Sequence, residues 1–209
     1  MNLGDLGEFG VIDRIARAAR RKGVPRHVVI GVGDDAAVLR PRRGEDLVTS
    51  TDAMVEGAHF RWSSMSPRTL GRRALVANLS DLAAMGARPL GFVCALAAPA
   101  CTPLARIDGL VAGLLSEAER YSCPLVGGNL AAARETVVTI TVLGAVEPGR
   151  ALRRSGARPG DRLYVTGVLG AAALEVARAE GGGRVRRVAV PRLEAGRALA
   201  RLPGIGGCI

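Results

Sequence analysis

Residues 66–97 read SPRTLGRRALVANLSDLAAMGARPLGFVCALA, and this stretch decides the fold. Ser66 followed by Pro67 is a helix start: the hydroxyl caps free backbone N–H groups, and proline suits the first helical position. The Ala-, Leu- and Val-rich run that follows predicts a helix to about Met85, stopped by Gly86. Phe92 to Ala97 is a short apolar run of the kind a buried strand requires.

Working outward, Thr102-Pro103 opens a second long helix to about Tyr121. Leu125 to Gly127 and Val137 to Val146 read as strands, the second with β-branched residues at alternate positions. Upstream, Phe9, Ile12, Ile15, Ala16 and Ala19 share one face of a helix over Glu8 to Arg21, which Gly23 and Pro25 end. Val28 to Ile30, Ala36 to Leu39 and Leu47 to Asp52 are extended, separated by the turn Gly31 to Asp35 and the polar turn Pro41 to Asp46. The order predicts an α+β fold: a mixed sheet with helices on one face. A boundary falls near Glu147-Pro148-Gly149, giving an N-terminal domain over 1–147 and an incomplete second α/β domain over 148–209. In the latter, Arg162 to Thr166 reads as a strand, Ala171 to Glu180 and Pro191 to Leu202 as helices, and Gly206 to Ile209 as the start of a strand.

With 48% apolar but only 3% aromatic residues, the core must be built from Ala, Val and Leu. No apolar run reaches the roughly 20 residues of a membrane helix. Asp5 and Glu8 near the start, with no apolar segment there, speak against a signal peptide. The four cysteines, Cys94, Cys101, Cys123 and Cys208, form no C-x-x-C pair, so reduced thiols in the cytoplasm are expected. The net charge of +10 raises a nucleic-acid reading. Against it, the arginines are scattered, Lys22 is the single lysine, and aromatics for base stacking are nearly absent. Neither nucleic acid nor membrane is therefore an expected partner.

The chemistry sits in aspartates at strand ends and turns: Asp34 and Asp35 after Gly33, Asp52 after Ser50 and Thr51, and Asp81 inside the apolar helix. Each of the first three alone is an ordinary turn former or cap. Asp81 is neither, and a carboxylate among Ala, Leu and Met is costly unless paired or bound to metal. Hard Mg²⁺ ions take oxygen ligands and sit between carboxylates and phosphates. Gly31 to Ala36 matches G-x-G-x-x-A, but Pro41 leaves no room for the helix a dinucleotide site needs, and two aspartates would repel a pyrophosphate. No P-loop or protein-kinase motif is present.

The strings Gly31-Val-Gly-Asp-Asp-Ala-Ala-Val-Leu39, Ser50-Thr-Asp-Ala-Met-Val-Glu-Gly-Ala-His-Phe60, Ala77-Asn-Leu-Ser-Asp-Leu-Ala-Ala-Met-Gly-Ala87 and Arg154-Ser-Gly-Ala-Arg-Pro-Gly-Asp-Arg-Leu-Tyr-Val-Thr-Gly167 resemble thiamine-monophosphate kinases. The wider superfamily includes aminoimidazole ribonucleotide synthetase, selenophosphate synthetase and a hydrogenase-maturation protein. The resemblance implies Mg²⁺-dependent in-line transfer of the ATP γ-phosphoryl group to thiamine monophosphate, without a covalent intermediate, by a homodimer. It implies Mg²⁺ ligands at Asp35, Asp52 and Asp81, with oxygens from Ser50, Thr51 and Asn129, and support of the turn by Asp34. It further implies a substrate contact at His59 and ATP contacts at Gly127, Gly128, Asn129 and Arg154. Asn129 stands where the family usually has Asp, which removes a charge. The family's next motif, Asp-x-Ser-Asp-Gly, would begin just after Ile209, so this 209-residue form is expected to be poorly active. The rival readings are another ATP-dependent enzyme of the superfamily and a non-catalytic dimerising fragment.

Overall fold

The computed structural model describes residues 1–205 and 207–209. Its elements in chain order are α1 (Leu3–Arg20), β1 (Val28–Ile30), β2 (Val38–Leu39), β3 (Asp46–Val55), α2 (Pro67–Ala84), β4 (Arg88–Ala98), α3 (Leu104–Arg120), β5 (Leu125–Ala132), β6 (Val137–Val146), a 3₁₀ turn (Arg154–Gly156), α4 (Ala171–Glu180) and α5 (Leu193–Leu199). Strands β3 to β6 form a four-stranded sheet in the order β3-β6-β4-β5, while β1 and β2 form a separate antiparallel pair. The β4–β5 pair is parallel, crossed over by α3, and the other pairs of the large sheet are antiparallel. The mixed sheet expected from the order of elements is therefore present.

Helix α2 begins as its sequence dictates, with the Thr69 N–H donating to Ser66 Oγ at 3.1 Å. It ends at Gly86, whose φ of 70° is the left-handed conformation that glycine adopts without a Cβ penalty. Two glycines set the contact between α2 and α3. A Cβ at Gly71 would lie 2.0 Å from the Leu110 carbonyl oxygen, and one at Gly113 would lie 2.2 Å from that of Arg68. The two backbones touch at this crossing, and Leu70, Leu75, Leu79, Leu110 and Leu114 fill the space around it. Below them lie Phe92, Val138, Ile140 and Val142 of the sheet, all buried. On the opposite face, Thr49, Thr51, Ala53 and Ala95 are exposed.

Several expectations are revised. Helix α1 starts at Leu3 rather than Glu8, bending at Gly7, because the Leu3 and Gly4 N–H groups are bound by the carbonyls of Thr102 and Ala100. The Arg162 to Thr166 strand does not form. Its backbone has no ladder partner among the described residues, and Leu163 and Tyr164 are 94% and 85% exposed. The helix expected over Pro191 to Leu202 is confined to α5. At the terminus, residues 207–209 form no strand, and Gly206 lies outside the described residues.

Candidate functional site

Strand β3 presents its side chains alternately to the two faces of the sheet. Ser50 lies opposite Val142 and Asp52 opposite Ile140, both buried residues on the helix-covered face. Ser50 Oγ donates to Asp81 Oδ2 of α2 at 2.5 Å. Asp81 is half-buried, and none of Asp34, Asp35, Asp52 and Asp81 enters an ion pair with an arginine or lysine among the described residues. A half-buried carboxylate on α2 thus has a hydroxyl partner and, among the described residues, no countercharge.

The remaining expected metal ligands are placed elsewhere. Thr51, one residue out of phase, falls on the opposite face, where its hydroxyl donates to the Ile140 carbonyl at 3.1 Å and meets Thr141 Oγ1 at 3.0 Å. Asp35 is exposed on the turn after β1, its N–H bound to Asp34 Oδ1 at 2.9 Å. Arg20 anchors that turn from α1 by donating to the Val32 carbonyl at 3.2 Å. Among the described residues no three His, Cys, Asp or Glu side chains group closely enough to hold a metal ion. Asp35, Asp52 and Asp81 therefore do not converge here. The turn belongs to the separate β1–β2 pair and has no hydrogen-bonded register with β3 to bring it over Asp52. What remains is the Ser50–Asp81 pair and, two residues on along the same face of β3, the exposed carboxylate of Asp52. Their hard oxygens fit Mg²⁺, which commonly takes one or two carboxylates and completes its shell with phosphate and water.

Gly127, Gly128 and Asn129 run along β5. One register row, Asp52, Ile140, Cys94 and Gly128, crosses all four strands. Asp52 and Gly128 are thus three strand spacings apart, roughly 14 Å. A Cβ at Gly128 would lie 2.1 Å from the Cys94 carbonyl oxygen, so glycine is required here for β5 to approach β4, independently of any ligand. Asn129, expected as a metal ligand, pairs with Ala95 and is exposed on the uncovered face, opposite to Asp52 and Ser50. Arg154 sits exposed on the 3₁₀ turn with no ion pair among the described residues.

His59 lies on the loop after β3. Its Nδ1 accepts the Val55 N–H at 3.2 Å, and its own N–H donates to the Val55 carbonyl at 2.8 Å. Nδ1 being the acceptor, the neutral ring carries its proton on Nε2, which is left to donate outward. Asn78 was given no role by the sequence. It is wholly buried, its Nδ2 donating to the Ala74 carbonyl at 3.0 Å and its Oδ1 having no partner among the described residues. The signal was available: an amide one helical turn before Asp81 in the string Asn78-Leu79-Ser80-Asp81.

Residues 33–146 match the family described as AIR synthase related protein, N-terminal domain. The chain belongs to the AIR synthase related proteins. Among relatives of this AIR synthase related chain is the thiamine-monophosphate kinase of Mycobacterium tuberculosis, 43% identical over 171 residues, 82% of this chain and 50% of that protein. The solved thiamine-monophosphate kinase of Stenotrophomonas maltophilia superposes with a TM-score of 0.77 at 33% identity, over 91% of this chain and 63% of that one. A structure described as AaThiL complexed with AMPPCP and TMP superposes with a TM-score of 0.61 at 29% identity, over 98% of this chain and 62% of that one. The chain spans about half the length of the curated relatives it matches.

Proposed function

We propose that this chain carries the first part of an ATP-dependent kinase that transfers the γ-phosphoryl group of ATP to thiamine monophosphate, giving thiamine diphosphate and ADP. The observation that carries this reading is the Ser50–Asp81 pair, an uncompensated carboxylate held at a fixed position over the sheet. The relatives named thiamine-monophosphate kinase, and the complex of one structural neighbour with AMPPCP and TMP, support it.

Phosphoryl transfer asks little covalent chemistry of the protein, so positioning and charge neutralisation dominate. Ser50, Asp52 and Asp81 are the residues that would hold Mg²⁺. When bound, the ion neutralises phosphate oxygens and so offsets the repulsion between two anionic substrates. The Ser50 hydrogen bond fixes one carboxylate oxygen of Asp81 and leaves the other open. His59, with its proton on Nε2, is a donor suited to a substrate oxygen. The backbone at Gly128 lines the ATP phosphates, and the planar fork of Arg154 pairs with phosphate oxygens. No side-chain nucleophile is required.

We further propose a homodimer formed through the uncovered sheet face, a reading supported by the exposed Thr49, Thr51, Ala53 and Ala95. The domain boundary is set near Glu147, supported by the end of β6 at Val146. The location assigned is the cytoplasm, which keeps thiols such as exposed Cys101 reduced. Titration calorimetry of a non-hydrolysable ATP analogue in the presence of Mg²⁺ tests the kinase reading. Binding heat that Asp81→Asn abolishes or weakens at least tenfold is expected, and heat unchanged in that variant rejects it.

A further inference from the structure

Oxygen acceptors outnumber donors between α2 and β3. Asp81 meets Ser50, and a Cβ at Gly144, the residue opposite Val48, would lie 2.9 Å from Leu82 Cδ2. Moving from residue 82 to 81 on the helix thus accompanies moving from 48 to 50 on the strand: α2 runs antiparallel to β3. Three residues back along a helix is about 4.5 Å, and two residues forward along a strand is about 6.7 Å. Asn78 is therefore close to level with Asp52, and it is also the i−3 neighbour of Asp81 on its own helix.

At that level Asn78 is 0% exposed, and the alternative amide orientation is ruled out because Nδ2 donates to the Ala74 carbonyl at 3.0 Å. Its Oδ1 has no partner among the described residues. An unsatisfied buried carbonyl costs about 1–3 kcal/mol, and the other buried residues of this helix are all apolar, so packing gives no reason to carry one. The neighbouring groups are also acceptors, two carboxylates, and the one donor, the Ser50 hydroxyl, is already used on Asp81. Four oxygen-bearing side chains with a surplus of lone pairs and negative charge call for a cation, reached by Asn78 directly or through a water of its shell.

We propose that Asn78 Oδ1 is a further oxygen of a divalent-cation seat formed with Ser50, Asp52 and Asp81. This rests on the kinase reading for its metal and extends it by a residue from the buried side of α2. A merely structural Asn78 and a cation-holding one differ in their response to substitution. Leucine has nearly the same volume and no unsatisfied atom, so it relieves a purely structural fault, whereas it deprives a cation of an oxygen.

The test is Mn²⁺ binding, followed by electron paramagnetic resonance of the free ion, with thermal unfolding recorded with and without Mg²⁺. For Asn78→Leu the expected result is an unchanged or higher Tm without metal and Mn²⁺ affinity at least fivefold weaker. Wild-type affinity in a folded Asn78→Leu overturns the proposal. Should that variant not fold, Asn78→Asp decides. A third carboxylate lowers the metal-free Tm and enlarges the gain in Tm on adding Mg²⁺, and a gain equal to the wild type's overturns the proposal. Asp81→Asn separates the two readings: if it abolishes Mn²⁺ binding while Asn78→Leu does not, the Asn78 assignment alone fails. If the wild type binds no Mn²⁺, both fail.

Discussion

Ser50 and Asp81, 31 residues apart in sequence, are joined by a hydrogen bond of 2.5 Å that ties β3 to α2. The bond does two things at once. It satisfies one oxygen of a half-buried carboxylate, and it fixes the rotamer of a group that the kinase reading needs in one place. Ser50→Ala removes the donor and leaves Asp81 with water as its alternative. The expected cost is about 1 kcal/mol of stability, seen as a lower midpoint in urea unfolding. Affinity for an ATP analogue with Mg²⁺ falls in the same variant, and it recovers in Ser50→Thr, which restores a hydroxyl. A Ser50→Ala protein with full stability and full affinity removes Ser50 from the site.

Gly71 and Gly113 form the second testable contact. Each faces a backbone carbonyl of the other helix at a distance no Cβ can occupy, 2.0 and 2.2 Å. Alanine at either position must push α2 and α3 apart or shift one along the other, because the obstacle is main chain rather than a movable side chain. Overpacking of this kind costs about 1–3 kcal/mol. Gly113→Ala is expected to lower Tm by several degrees or more. Gly181→Ala tests whether any glycine replacement would do the same. Like Gly71 and Gly113 it has no positive φ, but the nearest atom to an added Cβ there is 3.5 Å away, an ordinary contact. Equal losses in the two variants would falsify the crossing as the cause.

The difference between these glycines shows what the sequence could and could not reveal. The cap at Ser66, the stop at Gly86 and the alternation in β6 are local signals, and they place α2 and β6 nearly to the residue, whereas β4 begins at Arg88, four residues before the expected Phe92. Gly71 and Gly113 look like weak points in their helices until the partner backbone is known. The start of α1 was missed for the same reason, since Leu3 and Gly4 are held by carbonyls near residue 100 rather than by their own neighbours. At the site, the pairing of Ser50 with Asp81 follows from the period of two, which also sends Thr51 to the other face. Asp35 could not be placed from spacing, because a turn's position relative to a sheet depends on contacts outside the turn.

The cysteines offer an independent check on the core. Burial pushes the thiols of Cys94 and Cys123 up to about 12, and Cys101 is exposed. The thiolate is the reactive form, so at pH 8 both groups stay protonated, and Cys123 is fully buried as well. A colorimetric thiol titration of the native protein should modify Cys101 first, with Cys94 and Cys123 reacting only after denaturant is added. Mass spectrometry of the labelled protein identifies the sites. Rapid labelling of Cys123 under native conditions would place the end of α3 outside the core.

The acid limb of stability should depend on Glu45. Its carboxylate takes two hydrogen bonds from Arg88, at 2.5 and 3.1 Å, and a third from the Arg42 N–H at 2.8 Å. The bonds from Arg88 hold its pKa below the ordinary value of 4.5, outweighing burial, which acts to raise it. A lowered folded pKa means that the unfolded chain binds the proton more readily. The contribution is therefore complete above pH 4.5 and is lost as pH falls from there through the folded pKa. One group can contribute a slope of at most about 1.4 kcal/mol per pH unit. Glu45→Gln should be less stable than wild type at pH 7, and the gap should narrow as the pH falls below 4.5. Tm measured from pH 7 to pH 3 in both proteins tests this, and a constant difference across the range would mean that Glu45 acts through packing rather than through charge.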